Sequence, residues 1–281
     1  MKHIPVLLDS VMNTLGDIHG RHIVDCTFGA GGYTRAFLTA GAHVTAFDRD
    51  PNVIPDSDAV RAEFGERFNF IPRPFSGLAE MDDQYDAIVF DLGISSMQID
   101  EPSRGFSFRA DAKLDMRMSG NGMTAAELIE QSSVSELAEI LRDYGDVKKS
   151  MVLARVIKDA RPKTTFALRD LIHAPRDIAP VFQALRIAVN DEFGEIRRAL
   201  SAVPDKLLPG GMCICVTFHS LEDRIVKNTF RTWTTTPGDA HIPTVASAPF
   251  QLIRATTPPQ DEIERNPRAR SAHMRGVIKS C

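Results

Sequence analysis

Asp86-Ala-Ile-Val-Phe-Asp91 runs through Leu92-Gly93 into ISSMQIDEPSRGFSFRADAKLDMR, residues 94–117. The first six residues are a short apolar run bounded by acids, the pattern of a strand buried on both faces of a parallel sheet. A strand that ends in a carboxylate and opens into a Gly/Ser loop is where open α/β sheets hold their ligands. The loop then brings aromatics, arginines and acids close together, a composition that points to a site rather than a plain surface connection.

Working outward toward the N-terminus, strand and helix patterns alternate. Pro5 suits the start of a short helix reaching Leu15. Residues 22–27 read as a strand, followed by the turn Phe28-Gly-Ala-Gly-Gly32 and a helix to about Ala40. Strands follow at 43–48, 68–71 and 85–91. This alternation places the chain in the α/β class, with a doubly wound, mostly parallel, Rossmann-like sheet. After about Arg104 the pattern turns helical. Ser133-x-x-Glu136 is a capping box opening a helix that ends at Gly145, a residue suited to the C′ position. Further helices are expected over 148–160, 165–173 and 180–203, the last with Phe182, Leu185, Val189, Phe193, Ile196, Leu200 and Val203 on one stripe. The expected organisation is therefore a sheet domain over 1–104 and 201–281, with an inserted all-helical subdomain over 105–200. The sheet resumes with a strand at 212–218, then a helix through about Phe230, and residues 232–260 read as an irregular surface segment.

Composition bounds the function. With 281 residues, 43% hydrophobic and 25% charged, the chain is an ordinary globular protein able to bury a sizeable core. Four cysteines make no disulfide framework, and Cys213 and Cys215 lack the neighbouring ligands of a zinc site. No apolar run is long enough to span a membrane, and the N-terminal residues show no signal or transit pattern. A reducing cytoplasm and no membrane partner are expected. A net charge of −4 argues against bulk affinity for nucleic acid, yet eight Lys/Arg against two acids over 148–176, and nine against four from Arg224 onward, are candidate phosphate-facing patches or simply solvated surface. The sequence is silent on oligomeric state.

The turn after the first strand, Asp25-Cys-Thr-Phe-Gly-Ala-Gly-Gly32, suits close approach of a ligand. A P-loop would need Gly-Lys-Ser/Thr, which is missing. A dinucleotide fingerprint would need a third glycine. S-adenosylmethionine carries an ammonium and a sulfonium, which Asp25 suits better than it suits a phosphate, and Asp48 is placed for ribose hydroxyls. A nicotinamide and a ligand-free turn remain open on these residues. Asp91 could bind a donor, orient an acceptor amine, or cap its own turn.

The segments DCTFGAGGYTRAFL, AFDRDP, DLGISSMQID, RGFSF, LDMRM, FQALRIAVNDE, FHSLEDRIVK and NPRARSA occur in this order and cover almost the whole chain. Together they resemble the bacterial 16S ribosomal RNA cytosine-N4 methyltransferase family, known as MraW. The resemblance implies a class I methyltransferase fold with a helical insert, S-adenosylmethionine as donor, and a cytosine amine in the decoding region of the small ribosomal subunit as acceptor. It implies a donor site of Gly31, Gly32, Tyr33, Asp48, Phe75, Asp91 and Gln98, with Phe75 either stacking on adenine or belonging to the core. Asp91 is the expected catalytic residue. A cytosine N4 lone pair is delocalised, so holding nitrogen, methyl and sulfur in line matters most, while Asp91 or the Leu92-Gly93 backbone accepts from the amine. The Asn/Asp-Pro-Pro-Tyr motif of many amino-methyltransferases does not occur. His219 and Ser220 are secondary candidates near the acceptor, and His219 alternatively caps the helix that follows it. Arg104, Phe106, Phe108, Arg109 and Arg117 are expected to face RNA through phosphate contacts and base stacking. Gln183, Arg186 and Asn190 share one helix face, which either reads the substrate or forms a polar seam. Arg268 and Arg270 either meet phosphate or fix the tail. The chain departs from the family pattern at Ala30, Tyr33 and Met97, at Tyr144-Gly-Asp-Val147, and at Asp177-Ile-Ala-Pro-Val181, which lacks the usual Arg. A catalytically silent RNA-binding assembly factor and a nicotinamide oxidoreductase are the alternative functions.

Overall fold

The computed structural model describes residues 5–235 and 248–281. The chain divides into two compact units, Met1–Gly93 with Phe193–Cys281, and Ile94–Glu192. The sheet unit begins with helix α1 (Leu8–Leu15), β1 (His22–Asp25), α2 (Gly32–Thr39), β2 (His43–Phe47), α3 (Ile54–Phe64), β3 (Phe68–Ile71) and β4 (Tyr85–Asp91). The helical unit holds α4 (Ser96–Asp100), α5 (Ala125–Gln131), α6 (Val134–Gly145), α7 (Ser150–Ala160), α8 (Thr165–Asp170) and α9 (Pro175–Asn190). The chain then returns through α10 (Glu192–Lys206), β5 (Leu207–Thr217), α11 (Ser220–Trp233), β6 (Phe250–Thr256), α12 (Gln260–Arg265) and β7 (His273–Lys279).

The seven strands form one sheet in the order β3-β2-β1-β4-β5-β7-β6. β1 to β5 pair in parallel, whereas β7 runs antiparallel to both β5 and β6. Ala87, Ile88, Val89 and Phe90 are all buried, as a strand covered on both faces requires. Ile23, Val44, Val89, Ile214 and Val216 pack with Phe37, Leu38 and Val60 into one core. Because β1, β2, β4 and β5 are parallel, their C-terminal ends share one edge. Asp25, Asp91 and Thr217 end three of these strands, and Asp48 directly follows the fourth. Among the described residues, no helix is long and apolar enough to cross a membrane.

The structure departs from the sequence reading at three places. The single helix expected over 180–203 is two helices, α9 and α10, broken where Asp191 turns left-handed at φ 48°. The apolar stripe crosses this break because it serves two cores. Phe182 and Leu185 belong to the core of the helical unit, while Phe193, Ile196, Leu200 and Val203 are buried residues of the sheet unit. The helical unit accordingly spans Ile94–Glu192 rather than 105–200. Second, part of the segment read as irregular (232–260) and the basic tail both supply strands, β6 and β7; residues 236–247 of that segment lie outside the described residues. Third, Gly145 is the last residue of α6, and Asp146 takes the left-handed position at φ 52°. Gly145 is needed for proximity instead: a Cβ there would lie 2.6 Å from the Pro180 carbonyl oxygen.

Candidate functional site

The strand edge of the sheet unit gathers carboxylates. Asp25 is 1% exposed. Its Oδ2 accepts from the Thr34 hydroxyl at 2.6 Å and its Oδ1 from the Thr27 N–H at 3.1 Å. Burial pushes its carboxyl above the usual range, partly opposed by those hydrogen bonds. Asp25 therefore fixes the turn and contributes charge to the site rather than touching a ligand.

The glycine turn divides its labour unexpectedly. Gly32 was expected against a donor, but a Cβ at this position would fall 2.3 Å from Cγ of Pro5, so its bareness serves packing of the chain on itself. Gly31 caps α2 in the left-handed region at φ 76°. Gly29, which the sequence reading did not single out, is the open one: the nearest atom to a Cβ there is the Thr27 carbonyl oxygen at 4.0 Å. Its N–H donates to Oδ2 of Asp48 at 2.8 Å. Tyr33 is a second correction. Its ring is 3% exposed within the apolar core, and its hydroxyl donates to the Val6 carbonyl. Its side chain anchors the N-terminal segment, leaving its backbone N–H, in the first turn of α2, as what it can offer a ligand.

Asp48 accepts from Gly29 through one oxygen and from the Asp50 N–H, at 2.9 Å, through the other. Burial pushes its carboxyl up to about 6. Each carboxylate oxygen has a second lone pair, so Asp48 can hold the turn and still accept hydroxyls. Phe75 opens the 3₁₀ turn Phe75–Glu80. It is half-buried and meets the edge of Phe90 at 5.7 Å with an interplanar angle of 86°.

Asp91 is the most exceptional group at this edge. Its N–H donates to the Thr27 hydroxyl at 2.7 Å, while its own Oδ1 is buried and has no hydrogen-bond partner. Burial pushes its carboxyl well above the usual range, and the charges of Asp25 and Glu222 push it further. A buried carboxylate oxygen with no donor is costly, so the edge is built for a ligand that brings a cation or an N–H. His219 caps α11 and accepts from the Glu222 N–H through Nδ1 at 3.4 Å. Ser220, next in sequence, is exposed. Glu222 is 1% exposed and was missed in the sequence because its N3 position reads as a surface cap. Glu195 on α10 was missed for a similar reason. It is 7% exposed, pairs with Arg198 at 2.6 Å, and accepts from the N–H of Ser76, the residue after Phe75, at 3.4 Å.

Within the helical unit, most of the residues expected to face RNA are engaged internally. Phe106 is 9% exposed and belongs to the core, so it is no base platform. Phe108 leans edge-on against Phe182 at 5.4 Å but stays half-exposed. Arg104 donates to the Arg117 and Met118 carbonyls at 2.9 and 2.7 Å. Arg117 makes a two-point pair with Asp115 at 2.8 and 2.7 Å. Arg186 is held two-point by Glu192 at 2.8 and 3.0 Å. Asn190 accepts from the Met118 N–H and donates to the Met116 carbonyl, at 2.8 and 2.7 Å, and Gln183 donates to the Tyr144 carbonyl at 3.0 Å. The polar face of α9 is thus a seam inside its own unit. Gln98 is 5% exposed and closes a capping box with Ser95. Arg109 is exposed, as are Arg268 and Arg270 in the sheet unit.

The donor set suits S-adenosylmethionine: a carboxylate-rich edge for its cations, Asp48 for a ribose, a half-buried ring for adenine, and an orphaned acceptor at Asp91. The chain is 43% identical over 298 residues to "Ribosomal RNA small subunit methyltransferase H" of Bartonella bacilliformis, covering 99% of this chain and 90% of that protein. It is 44% identical over 304 residues to the protein of the same name from Nitrobacter winogradskyi, covering 100% and 91%. A solved rRNA methylase from Streptococcus thermophilus superposes with a TM-score of 0.46 at 12% identity, covering 100% of this chain and 99% of that one. The MraW methylase family model matches residues 1–280, and the chain belongs to that family of S-adenosylmethionine-dependent methyltransferases.

Proposed function

We propose that this protein methylates the exocyclic N4 amine of a cytosine in the decoding region of small-subunit ribosomal RNA. The observation that carries the reading is the orphaned, buried Oδ1 of Asp91 at the end of β4. The names of its relatives support the RNA class, and the ordered segments that resemble the cytosine-N4 family support the base and the atom.

S-adenosylmethionine, when bound, supplies an electrophilic methyl group on sulfur. The chain's residues do the rest. Asp48 would accept the ribose hydroxyls, Phe75 would pack on the adenine, and the first turn of α2 would present N–H groups to a carboxylate. Asp91 accepts an N–H of the incoming amine, which orients the nitrogen and restores electron density to its lone pair. Transfer would form the carbon–nitrogen bond as the carbon–sulfur bond breaks, and Asp91 would take the proton released from nitrogen and pass it to water. Positioning of this kind supplies most of the rate, and proton transfer adds roughly 10²–10⁴-fold. Exposed Arg109 and half-exposed Phe108 are the RNA contacts we assign from the helical unit.

The test is transfer of labelled methyl to small subunits lacking cytosine-N4 methylation, with nucleoside mass analysis of the product. N4-methylcytidine is the expected product. A different methylated nucleoside overturns the acceptor assignment, and donor binding without any transfer identifies a silent assembly factor.

A further inference from the structure

Among the described residues, four glutamates occupy the third position of a helix behind an N-cap; one of them, Glu262 behind Pro259, is partly buried and accepts from the Leu7 N–H at 2.6 Å. Glu127 and Glu136 do so in capping boxes, and both are exposed. Glu222 does so behind His219, yet it is 1% exposed. Capping needs no burial, and taking a carboxylate out of water costs several kcal/mol. The cap alone therefore does not account for where Glu222 is placed.

Its surroundings do. Oε2 accepts from the Phe218 N–H at 2.9 Å. Oε1 lies 3.0 Å from Nε2 of His219. Nδ1 of His219 accepts from the Glu222 N–H, and no hydrogen bond joins Nε2 to Oε1 at that approach. Oε1 also lies 3.5 Å from where a Cβ on Gly93 would be, so the carboxylate is seated against the turn that follows Asp91. Gly93 makes room for it and has φ 95°. Asp91, at the end of β4, feels the charges of both Asp25 on β1 and Glu222. On the β7 side, Arg275 is engaged two-point by Asp223 at 2.6 and 2.9 Å, with His273 also acting on Asp223.

We propose that Glu222 is a positioning residue for methyl transfer: seated against Gly93, in the turn that follows Asp91, its buried carboxylate supplies negative charge there, so that Asp91 takes up the proton released by the attacking amine. The proposal rests on the reaction assigned above. The electron bookkeeping is unchanged: one carbon–sulfur bond breaks, one carbon–nitrogen bond forms, and one proton moves from nitrogen to Asp91. Glu222 acts only through its charge and its contacts. The direction in which Glu222 shifts the Asp91 carboxyl agrees with this arrangement.

The experiment is the pH profile of single-turnover methyl transfer to small subunits, for the unmodified protein and for Glu222→Gln, with donor affinity and melting temperature measured alongside. Glutamine keeps an acceptor for the Phe218 N–H and removes the charge. Without that charge Asp91 is a weaker base, so the acid limb of the profile moves to lower pH and the plateau rate falls roughly tenfold, while donor affinity is retained. A plateau that falls with the limb unmoved makes Glu222 a packing residue and overturns the proposal. Absence of transfer by the unmodified protein instead overturns the assigned reaction. Should Glu222→Gln not fold, carbon-13 carboxyl titration of the unmodified protein decides, with Asp91→Asn used to identify the coupled resonances. Glu222 is expected to be ionised already over the range in which Asp91 titrates, and a Glu222 that titrates above Asp91 overturns the proposal.

Discussion

Asp48 holds the Gly29 and Asp50 N–H groups with one oxygen each, and burial raises its carboxyl from 3.8 to about 6. A raised carboxyl favours the folded state when protonated; that contribution is complete below its unfolded value of 3.8 and is lost as pH rises through about 6. Donor binding has the opposite sign. Ribose hydroxyls need the ionised form, so affinity for S-adenosylmethionine should fall by up to about tenfold per unit below pH about 6. Calorimetric titration across that range checks this, and Asp48→Asn should bind weakly with a flatter profile. Equal steepness in the variant would assign the effect to another carboxylate. Arg186 makes the contrary case about reading single residues. On one helix face with Gln183 and Asn190, it looked as suited to phosphate as to a seam. With side chains 12% and 8% exposed, Arg186 and Glu192 form a buried pair. Removing one partner leaves the other charge uncompensated, so Arg186→Ala should cost about 3–5 kcal/mol in chemical denaturation. Unchanged stability with weakened RNA binding would restore the substrate role.

Elements were legible where local chemistry set them. β3 and β4 fall on the expected residues 68–71 and 85–91, and the Ser133 capping box opens α6 as its spacing requires. They were illegible where a neighbour remote in sequence decided. A continuous stripe hid the α9/α10 break, because periodicity records which positions are apolar and not which core receives them. RGFSF and LDMRM read as an RNA-facing loop, yet Arg104, Asn190 and Asp115 bind them into a brace around backbone carbonyls and Arg117. Gly145 carries the same lesson into a prediction. Its Cα is where α6 meets α9, with Pro180 O 2.6 Å and Ala184 Cβ 3.1 Å from a Cβ placed there. Gly145→Ala would ordinarily help a helix. Here it must push two backbones apart, and we expect a loss of about 1–3 kcal/mol, read as a lower denaturation midpoint. A rise in stability would show that the two helices can separate at no cost.

For the molecule as a whole, the carboxylate edge could be inferred from strand order alone, because parallel strands bring their C-terminal ends together whatever the loops do. The C-terminal part of the sheet could not. HMRGVIK is short, basic and centred on a glycine, and it reads as tail. It is nevertheless the strand between β5 and β6. Met274 and Val277 are buried at 1% and 0%. Gly276 lets Ile253 of β6 approach to 3.0 Å of a Cβ position, and Lys279 donates to the Pro204 and Leu207 carbonyls, both at 2.7 Å. Arg275 pairs with Asp223 on α11, directly after Glu222. Two of the cations that looked available for phosphate are therefore engaged within the sheet unit. Burying one such apolar side chain is worth about 1.5–3 kcal/mol, and a domain has only about 5–15 kcal/mol to lose. Removing residues 273–281 would also leave the β5 ladder open along its length. The truncated chain should therefore lose cooperative melting and S-adenosylmethionine binding together. A tail that served RNA alone predicts the reverse: unchanged melting and donor affinity, with only the salt-dependent part of RNA binding diminished. Thermal melting and donor titration of the truncated protein, measured before any RNA is added, separate the two.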